Sequence, residues 1–316
     1  MKRTVIFLLA VVAGISIQAA EGALGGKFSV SRSSQVVFAQ GNLQYNAAQD
    51  TWRFAGQQYE YIGQGNENIA ASYDGWIDLF GWGTGNNPTL ATLSDADYKT
   101  FSDWGANAVS NGGNTAGLWR TLSKDEWVYM IQTRAKASSL FGLGSIDGVN
   151  GMILLPDNWH APEGISFTPS TTKGLQDLGI HFDNEGKDNY SHNTFTQEQW
   201  AQMETAGAVF LPAAGGRFGE ATTYLVGENG HYWTSTAYDS YFSHLMYFDS
   251  EFLFPQAWSG CYRGFSVRLV TTATDTGLED TTDSNDRMNS QKTLRDGQLL
   301  ILRDGKTYNI TGQEVK

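Results

Sequence analysis

Cysteine is almost absent from this chain of 316 residues, and its scarcity limits the chemistry that the chain can perform. Cys261 is the single cysteine, so no disulfide can form within the chain. A domain of this size buries enough apolar surface to fold without one. We expect Cys261 to be a small buried side chain, with a reactive thiol or a bridge to another chain as the alternatives.

Charged side chains are also sparse, at 17% of residues, and acidic ones outnumber basic ones. The formal net charge of -12 at pH 7 repels phosphate backbones, and no basic cluster compensates it. We therefore expect no nucleic acid partner. Glycine, at 36 residues, and tryptophan, at 10, are abundant, which indicates a compact, loop-rich fold anchored by large rings.

Motifs of catalysis and metal binding are missing as well. The five histidines form neither the H-E-x-x-H pattern nor a pair four residues apart on a predicted helix. Glycine-rich segments lack the spacing of phosphate-binding loops, and no G-x-S-x-G sequence is present. Carboxylates are frequent between residues 220 and 251, but no spacing singles out a pair suited to glycoside hydrolysis. The sequence favours a non-catalytic protein without a cofactor, with an enzyme as the alternative.

The densest group of oxygen ligands lies at residues 183–189. Asp183, Glu185 and Asp188 are the candidate metal ligands there, and calcium is the cation that takes several oxygens from one loop. The spacing of an EF-hand loop is absent. We favour a solvated acidic loop, with a calcium site as the alternative.

The start of the chain has the pattern of an export signal. Lys2 and Arg3 precede an apolar run at residues 4–17, and the small residues Ala19 and Ala20 follow. This is the pattern of a cleaved secretory signal peptide, which we place at residues 1–20. The apolar run is shorter than the roughly 20 residues that span a bilayer. We expect an exported protein at the cell surface, in the outer membrane or outside the cell, without a transmembrane span in the mature chain.

Short strands and few helices are predicted for the rest of the chain. Residues 27–54 alternate as strands, with residues 41–42 as a turn between paired strands. Residues 59–85 are dense in glycine and aromatic residues and are predicted to be long loops held down by buried rings. A change of composition at residue 271 predicts a flexible linker over residues 271–293, followed by a hairpin-like tail at 294–316.

Two helices are marked by capping boxes, in which Ser or Thr is followed three residues later by Glu or Gln. Ser123 with Glu126 opens the first, and Thr196 with Gln199 opens the second. A third helix is predicted over residues 94–104.

Five motifs in order carry a family resemblance. They are W-R-T-L-S-K-D-E-W at residues 119–127, L-L-P-D-N-W at 154–159, L-P-A-A-G at 211–215, Y-W-T-S-T at 232–236 and G-F-S-V-R at 264–268. Together they resemble the major paralogous domain of Fibrobacter and Bacteroidetes surface proteins. That domain is similar to the C-type-lectin-like fold of formylglycine-generating enzymes, the sulfatase-modifying factors.

The resemblance covers roughly residues 112–270 and implies an α+β, C-type-lectin-like fold for a domain at residues 27–270, in which residues 27–111 are an N-terminal strand extension. Such a fold has short antiparallel strands, two or three helices, and long loops rich in glycine and tryptophan. Formylglycine formation in the related enzymes uses a pair of cysteines, so a chain with Cys261 alone does not inherit that activity. In the tail at 294–316, the segments G-Q-L-L-I at 297–301 and G-K-T-Y-N-I-T-G-Q-E-V at 305–315 resemble the sorting domain of the type IX secretion pathway of Bacteroidetes.

Large rings in the motifs predict how the core is built. Trp119, Trp127 and Trp233 stand beside helix and strand starts, so we expect them to anchor a single core that also holds Phe265. Arg268 lies among apolar residues of a strand. A buried arginine is expected to have a carboxylate partner, and Glu126 is the candidate.

Residues 232–262 contain many aromatic residues mixed with Ser, Asp and His. In C-type-lectin-like folds this region lies next to the ligand-facing surface. Rigid rings interleaved with small polar residues are typical of recognition surfaces. We predict that Tyr238, Tyr241 and Trp258 are exposed and, with Asp239, bind an extracellular protein or glycan. A structural surface component without a small ligand is the alternative.

Overall fold

The structure is a computed structural model. It describes residues 20–170, 172–176, 179–182, 189–220, 222–273, 290–295, 298–303, 306–309 and 314–315. The predicted signal peptide lies outside the described residues, apart from Ala20, and so does most of the predicted linker. The described residues divide into two compact units, residues 20–273 and residues 290–315.

The first unit is an α+β fold made mostly of short antiparallel strands. Its strands up to residue 154 are β1 Phe28–Ser29, β2 Gln35–Phe38, β3 Leu43–Asn46, β4 Thr51–Phe54, β5 Trp76–Ile77, β6 Arg120–Thr121, β7 Phe141–Ile146 and β8 Val149–Leu154. Its later strands are β9 Thr172–Gln176, β10 Gly179–Phe182, β11 Thr194–Phe195, β12 Val209–Pro212, β13 Gly216–Phe218, β14 Thr222–Tyr224, β15 Gly230–Ala237, β16 Phe242–Phe248, β17 Phe252–Gly260, β18 Arg263–Gly264 and β19 Leu269–Thr272.

These strands form five small sheets. The orders are β1-β2-β19-β6, β15-β16-β17-β10-β9, β11-β7-β8-β12, β14-β13-β18 and β4-β3-β5. Every pair is antiparallel except β11 with β7. The sheet containing β15, β16 and β17 has the longest strands and carries the candidate site.

Two α-helices begin where the capping boxes predict. Helix α1, Lys124–Val128, is capped by Ser123 and continues as a π-helical turn, Tyr129–Thr133. Helix α2, Gln197–Thr205, is capped by Thr196. In both helices the cap side chain and the side chain three residues later bond each other's backbone N–H, which confirms the two predictions.

The helix predicted over residues 94–104 is wrong. The segment holds two short 3-10 turns, Asp95–Tyr98 and Trp104–Ala106. Between the turns, the backbone of Ser102 bonds Gly83 and Gly85, and Asp103 then caps the second turn, its carboxylate accepting the N–H of Gly105 and also the N–H and hydroxyl of Thr121. Three further 3-10 turns occur at Gly63–Asn68, Ala137–Ser139 and Asn189–Ser191.

Residues 41–42 do not form the predicted turn between paired strands. Strands β2 and β3 on either side of them belong to different sheets. A Cβ at Gly41 would lie 2.5 Å from the carbonyl oxygen of Ala55, so the backbone here passes too close to its neighbour for any side chain. The segment is a crossing between sheets.

Two tryptophans pin the long loop of residues 59–85 to strand β15, as the sequence predicts. The indole N–H of Trp82 donates to the carbonyl of Thr234 at 2.9 Å. The indole N–H of Trp233 donates back to the carbonyl of Phe80 at 2.7 Å. These reciprocal bonds satisfy both buried donors and fix the loop beneath the strand that leads to the candidate site.

The prediction of a single core is wrong. Trp127 belongs to one buried hydrophobic cluster, whereas Trp119, Trp233 and Phe265 belong to a second. A third cluster surrounds Trp200. All three clusters lie within the compact unit of residues 20–273.

Arg268 is a buried cation that lies between two of these clusters. Its four hydrogen bonds go to the side chain of Asn42 (3.2 Å) and to the carbonyls of Ala39 (2.9 Å), Gln58 (3.4 Å) and Phe210 (2.6 Å). Burial lowers its pKa to about 10. Ala39 belongs to the second cluster and Phe210 to the third, so one side chain holds both together.

The predicted pairing of Arg268 with Glu126 is therefore wrong. Glu126 instead binds Arg120, at 2.6 and 2.8 Å, and caps α1 through Ser123. These bonds and the positive charge of Arg120 lower the pKa of Glu126, although burial acts in the opposite direction. Neutral carbonyls take the place of the expected carboxylate around Arg268 because several chain segments converge there.

The second unit is one antiparallel sheet. It consists of β20 Ser290–Arg295, β21 Gln298–Arg303, β22 Lys306–Asn309 and β23 Glu314–Val315, paired in chain order. The predicted hairpin corresponds to β21 and β22. Strand β20 begins inside the range predicted as linker, and four strands can support each other better than a lone hairpin.

Candidate ligand-binding surface

The candidate site lies at one end of the antiparallel strands β15, β16 and β17. The turn between β15 and β16 is held by Asp239, whose Oδ1 accepts the N–H groups of Tyr241 (2.7 Å) and Phe242 (2.9 Å). This is the local bonding that makes aspartate common in turns. Asp239, predicted to bind ligand, therefore has a structural role in shaping the hairpin that carries the rings.

Four rings meet beside this turn, and we call Tyr238, Phe242, His244 and Trp258 the aromatic surface. The rings of Tyr238 and Trp258 are stacked, with centroids 5.6 Å apart. Phe242 meets Trp258 edge-on at 5.1 Å, and His244 meets Tyr238 edge-on at 5.3 Å. His244 and Trp258 are directly opposite each other on β16 and β17, so the sheet fixes their spacing.

The predicted exposure of three rings agrees with the structure. Tyr238 is 53% exposed, Tyr241 56% and Trp258 54%. The structure brings Tyr238 and Trp258 together, whereas the ring of Tyr241 has no ring partner among the described residues. Phe242 and His244 were not predicted as part of the exposed group. Alternation along β16 places them on one face, and the β16–β17 register brings that face beside Trp258.

Trp258 differs from every other tryptophan of the chain. Seven of the ten are buried, and Trp76 and Trp159 are partly buried. This chain uses its tryptophans to fill cores and pin loops. Trp258 is the exception, at 54% exposure.

A second feature lies on the other side of the same sheet. Leu245, Tyr247 and Ala257 alternate with His244 and Trp258 along the strands, so their side chains leave the opposite face. There they line a concavity of about 330 Å³ together with Tyr224, His231, Ser259, Arg263 and Phe265, and Trp258 borders it. The concavity and the aromatic surface therefore lie on opposite faces of one sheet and share Trp258 at their border.

His231 is the central polar ring of the concavity wall. Its Nδ1 lies 3.2 Å from the carbonyl of Gly215, and its ring stacks on Phe265 at 4.6 Å. Because a carbonyl only accepts, Nδ1 carries the proton and Nε2 is left as an acceptor. Burial lowers the pKa of His231 to about 4, so the ring is neutral at pH 7.

This depressed pKa predicts a pH effect on stability. The imidazole titrates near 6.5 when unfolded and near 4 when folded, and a difference of about 2.5 corresponds to about 3 kcal/mol. The stability from neutral His231 is fully present above pH 6.5 and is lost as the pH falls towards 4. Urea unfolding of the wild type and of the His231→Phe variant, at several pH values between about 4 and 6.5, measures this contribution. It is the pH-dependent difference between the free energies of unfolding of the two proteins.

Asp78 makes the comparison with the variant necessary. Burial raises the pKa of this carboxyl to about 6, so its stabilising effect is present below pH 3.8 and is lost as the pH rises through 6. The wild-type curve therefore contains two opposed slopes. In the His231→Phe variant, the free energy of unfolding should fall with rising pH because of Asp78, without the opposing contribution of His231. Parallel curves of free energy against pH for the two proteins would contradict the lowered pKa of His231.

The remaining site predictions have the following outcomes. Asp183, Glu185 and Asp188 lie outside the described residues. No group of three potential metal ligands occurs in the part of the chain that the structure describes. Within that same part, no helix is long and apolar enough to cross a membrane.

Cys261 is buried, as expected from the sequence. Its sulfur lies 3.2 Å from the hydroxyl of Ser243, and burial raises the pKa of the thiol. A buried thiol with a raised pKa has little thiolate at neutral pH and is poorly placed to react.

The chain was compared with protein-family models, with curated proteins and with solved structures. No family model, curated protein or solved structure matches it.

Proposed function

We propose that this protein is an exported, non-catalytic binding module of C-type-lectin-like fold that recognises an extracellular glycan through its aromatic surface. The signal-like N-terminus supports export, and the five motifs support the fold. The observation that carries the proposal is the exposed stack of Tyr238 and Trp258 on an ordered sheet.

Stacked rings suit the apolar C–H face of a sugar. Tyr238 and Trp258 are only 23° from parallel with centroids 5.6 Å apart, so they stack on each other and leave more than half of each side chain exposed for a ligand to contact. Register and turn bonding hold the rings before any ligand arrives, which lowers the entropy lost on binding. His244 adds a polar atom at the edge, because Nδ1 faces the carbonyls of Gln256 and Ala257 and leaves Nε2 to accept a hydroxyl.

A protein partner is the second candidate. Tyr241 extends the exposed area along the turn beyond the stacked pair, at 56% exposure. Tyrosine mixed with Ser and Asp provides rigid contact area together with adaptable hydrogen bonds, as in antibody loops. A structural surface component without a small ligand is the remaining alternative.

A glycan array probed with the mature chain, paired with a pull-down from extracellular protein, separates these functions. We expect a defined group of glycans to be bound, and binding to be lost in the Tyr238→Ala variant. Selective capture of a protein through the same rings, with an empty array, would favour the second candidate. Absence of both would favour a structural component and contradict the proposal.

A further inference from the structure

We propose that the concavity opposite the aromatic surface binds the acidic residue of a glycan, with Arg263 receiving the sugar carboxylate. The choice of a glycan rests on the proposed function, but apart from Trp258, which lines both, the side chains involved are different ones. The concavity supplies what such a sugar needs: a cation, polar groups that can bond sugar hydroxyls, such as His231 and Ser259, and apolar walls.

Arg263 is held in place by rings. Its guanidinium carbon lies 4.6 Å from the ring centre of Phe218, 5.5 Å from that of Tyr224 and 5.6 Å from that of Tyr262. Arg263 forms no ion pair with any carboxylate among the described residues. In a chain of net charge -12, a fixed cation of this kind keeps its charge available for an anionic ligand.

An arginine fork suits a carboxylate in particular. Its planar donors match the two oxygens of a carboxylate in a bidentate pair, and the surrounding rings reduce competition from water. Tyr224 also helps to fix the side chain of Arg263, because the two are hydrogen-bonded. Burial raises the pKa of the Tyr224 phenol, and the charge and hydrogen bond of Arg263 oppose that rise.

The polar atoms left free in the concavity point to hydroxyl groups. The hydroxyl of Tyr247 is already occupied, since it accepts from Asn229 at 2.7 Å and donates to Asp249. Nε2 of His231 remains as an acceptor that needs an O–H or N–H donor. A sugar ring carries several hydroxyls beside its carboxylate, whereas an acidic peptide side chain has none.

Size and walls agree with one sugar residue. A volume of about 330 Å³ lies at the lower end of the roughly 300–1,000 Å³ typical of small-ligand sites. Leu245, Ala257 and Phe265 provide apolar contact for the C–H face of a ring. The ligand class is therefore a hexuronate at a chain end or branch.

Calorimetric titration of the mature chain tests this directly, with methyl glucuronide and methyl galacturonide as probes. Each is compared with its neutral parent, methyl glucoside or methyl galactoside. We expect at least one uronide to bind at least tenfold more tightly than its parent at low salt. Arg263→Gln should abolish the preference, Arg263→Lys should weaken it, and Arg32→Gln, at an exposed position, should leave it unchanged.

Further outcomes separate this proposal from the proposed function. Tyr238→Ala is expected to change uronide affinity less than twofold, because Tyr238 does not line the concavity. Equal binding of acidic and neutral sugars, no binding of either uronide, or a preference that survives Arg263→Gln in a folded variant overturns the inference. Equal affinity for acetyl-glutamate amide would also overturn it, and would assign the concavity to acidic peptides.

Discussion

An Arg268→Met variant is expected to unfold with a free energy about 3–5 kcal/mol below that of the wild type. Methionine fills much of the same space but donates no hydrogen bond. The carbonyls of Ala39 and Phe210 would then be buried without their donor, as would the side-chain oxygen of Asn42. Each such group costs about 1–3 kcal/mol, and relief of the buried charge offsets part of the sum.

Urea unfolding of the protein measures this loss, and two variants control it. Arg268→Lys keeps the charge but not the planar fork, so its loss should lie between those of the wild type and Arg268→Met. Arg32→Met removes an exposed arginine and should change stability by less than about 0.5 kcal/mol. A loss below about 1 kcal/mol for Arg268→Met would show that the buried junction is not what holds the clusters together.

Trp258→Ala is expected to weaken binding of an array-positive glycan at least thirtyfold. Central aromatic residues of binding surfaces commonly contribute about 2 kcal/mol or more, which corresponds to about that factor. Trp258 has this position, because it touches both Tyr238 and Phe242. Its exposure makes the expected cost to folding small, about 1 kcal/mol or less.

Two variants distinguish a lost contact from a damaged fold. Trp258→Phe retains a flat ring and should recover part of the affinity. Leu93→Ala truncates a side chain of similar exposure, 57%, on a different loop and should bind like the wild type. Comparable weakening by Leu93→Ala and Trp258→Ala would indicate a general loss of structure, and unchanged affinity in Trp258→Ala would exclude the aromatic surface.

Local sequence signals predicted the parts of the fold that depend on neighbouring residues. The capping boxes at Ser123 and Thr196 are complete within four residues, so their helices begin where expected. The helix prediction over residues 94–104 was wrong because the segment depends on partners distant along the chain. Asp103 there bonds Thr121, a partner 18 residues away that no local pattern reveals.

Long-range convergence explains the other errors. The partners of Arg268 at Ala39 and Phe210 are 229 and 58 residues distant along the chain. A single sequence indicates that this arginine is buried but not which oxygens surround it. The expectation of a carboxylate failed because backbone carbonyls from separate segments supply the same acceptors.

The sequence predicted two of the rings in the aromatic surface, but not how the rings are arranged. Tyr238 and Trp258 were identified from the density of rings among small polar residues. Their stacking depends on the register that places His244 opposite Trp258, and that register passes an irregularity between Leu245 and Tyr247. Alternation places Phe242 and His244 on one face, but the register that sets His244 opposite Trp258 is a long-range pairing that a single sequence does not reveal, so these two rings were missed.

Indole N–H signals in a nitrogen–proton NMR spectrum give the most direct test of the aromatic surface. The ten tryptophans give one signal each, and the signal missing from Trp258→Phe identifies Trp258. On titration with an array-positive glycan, that signal should shift, while those of the buried Trp127 and Trp200 stay in place. A Trp258 signal that does not move while the glycan binds would contradict the account.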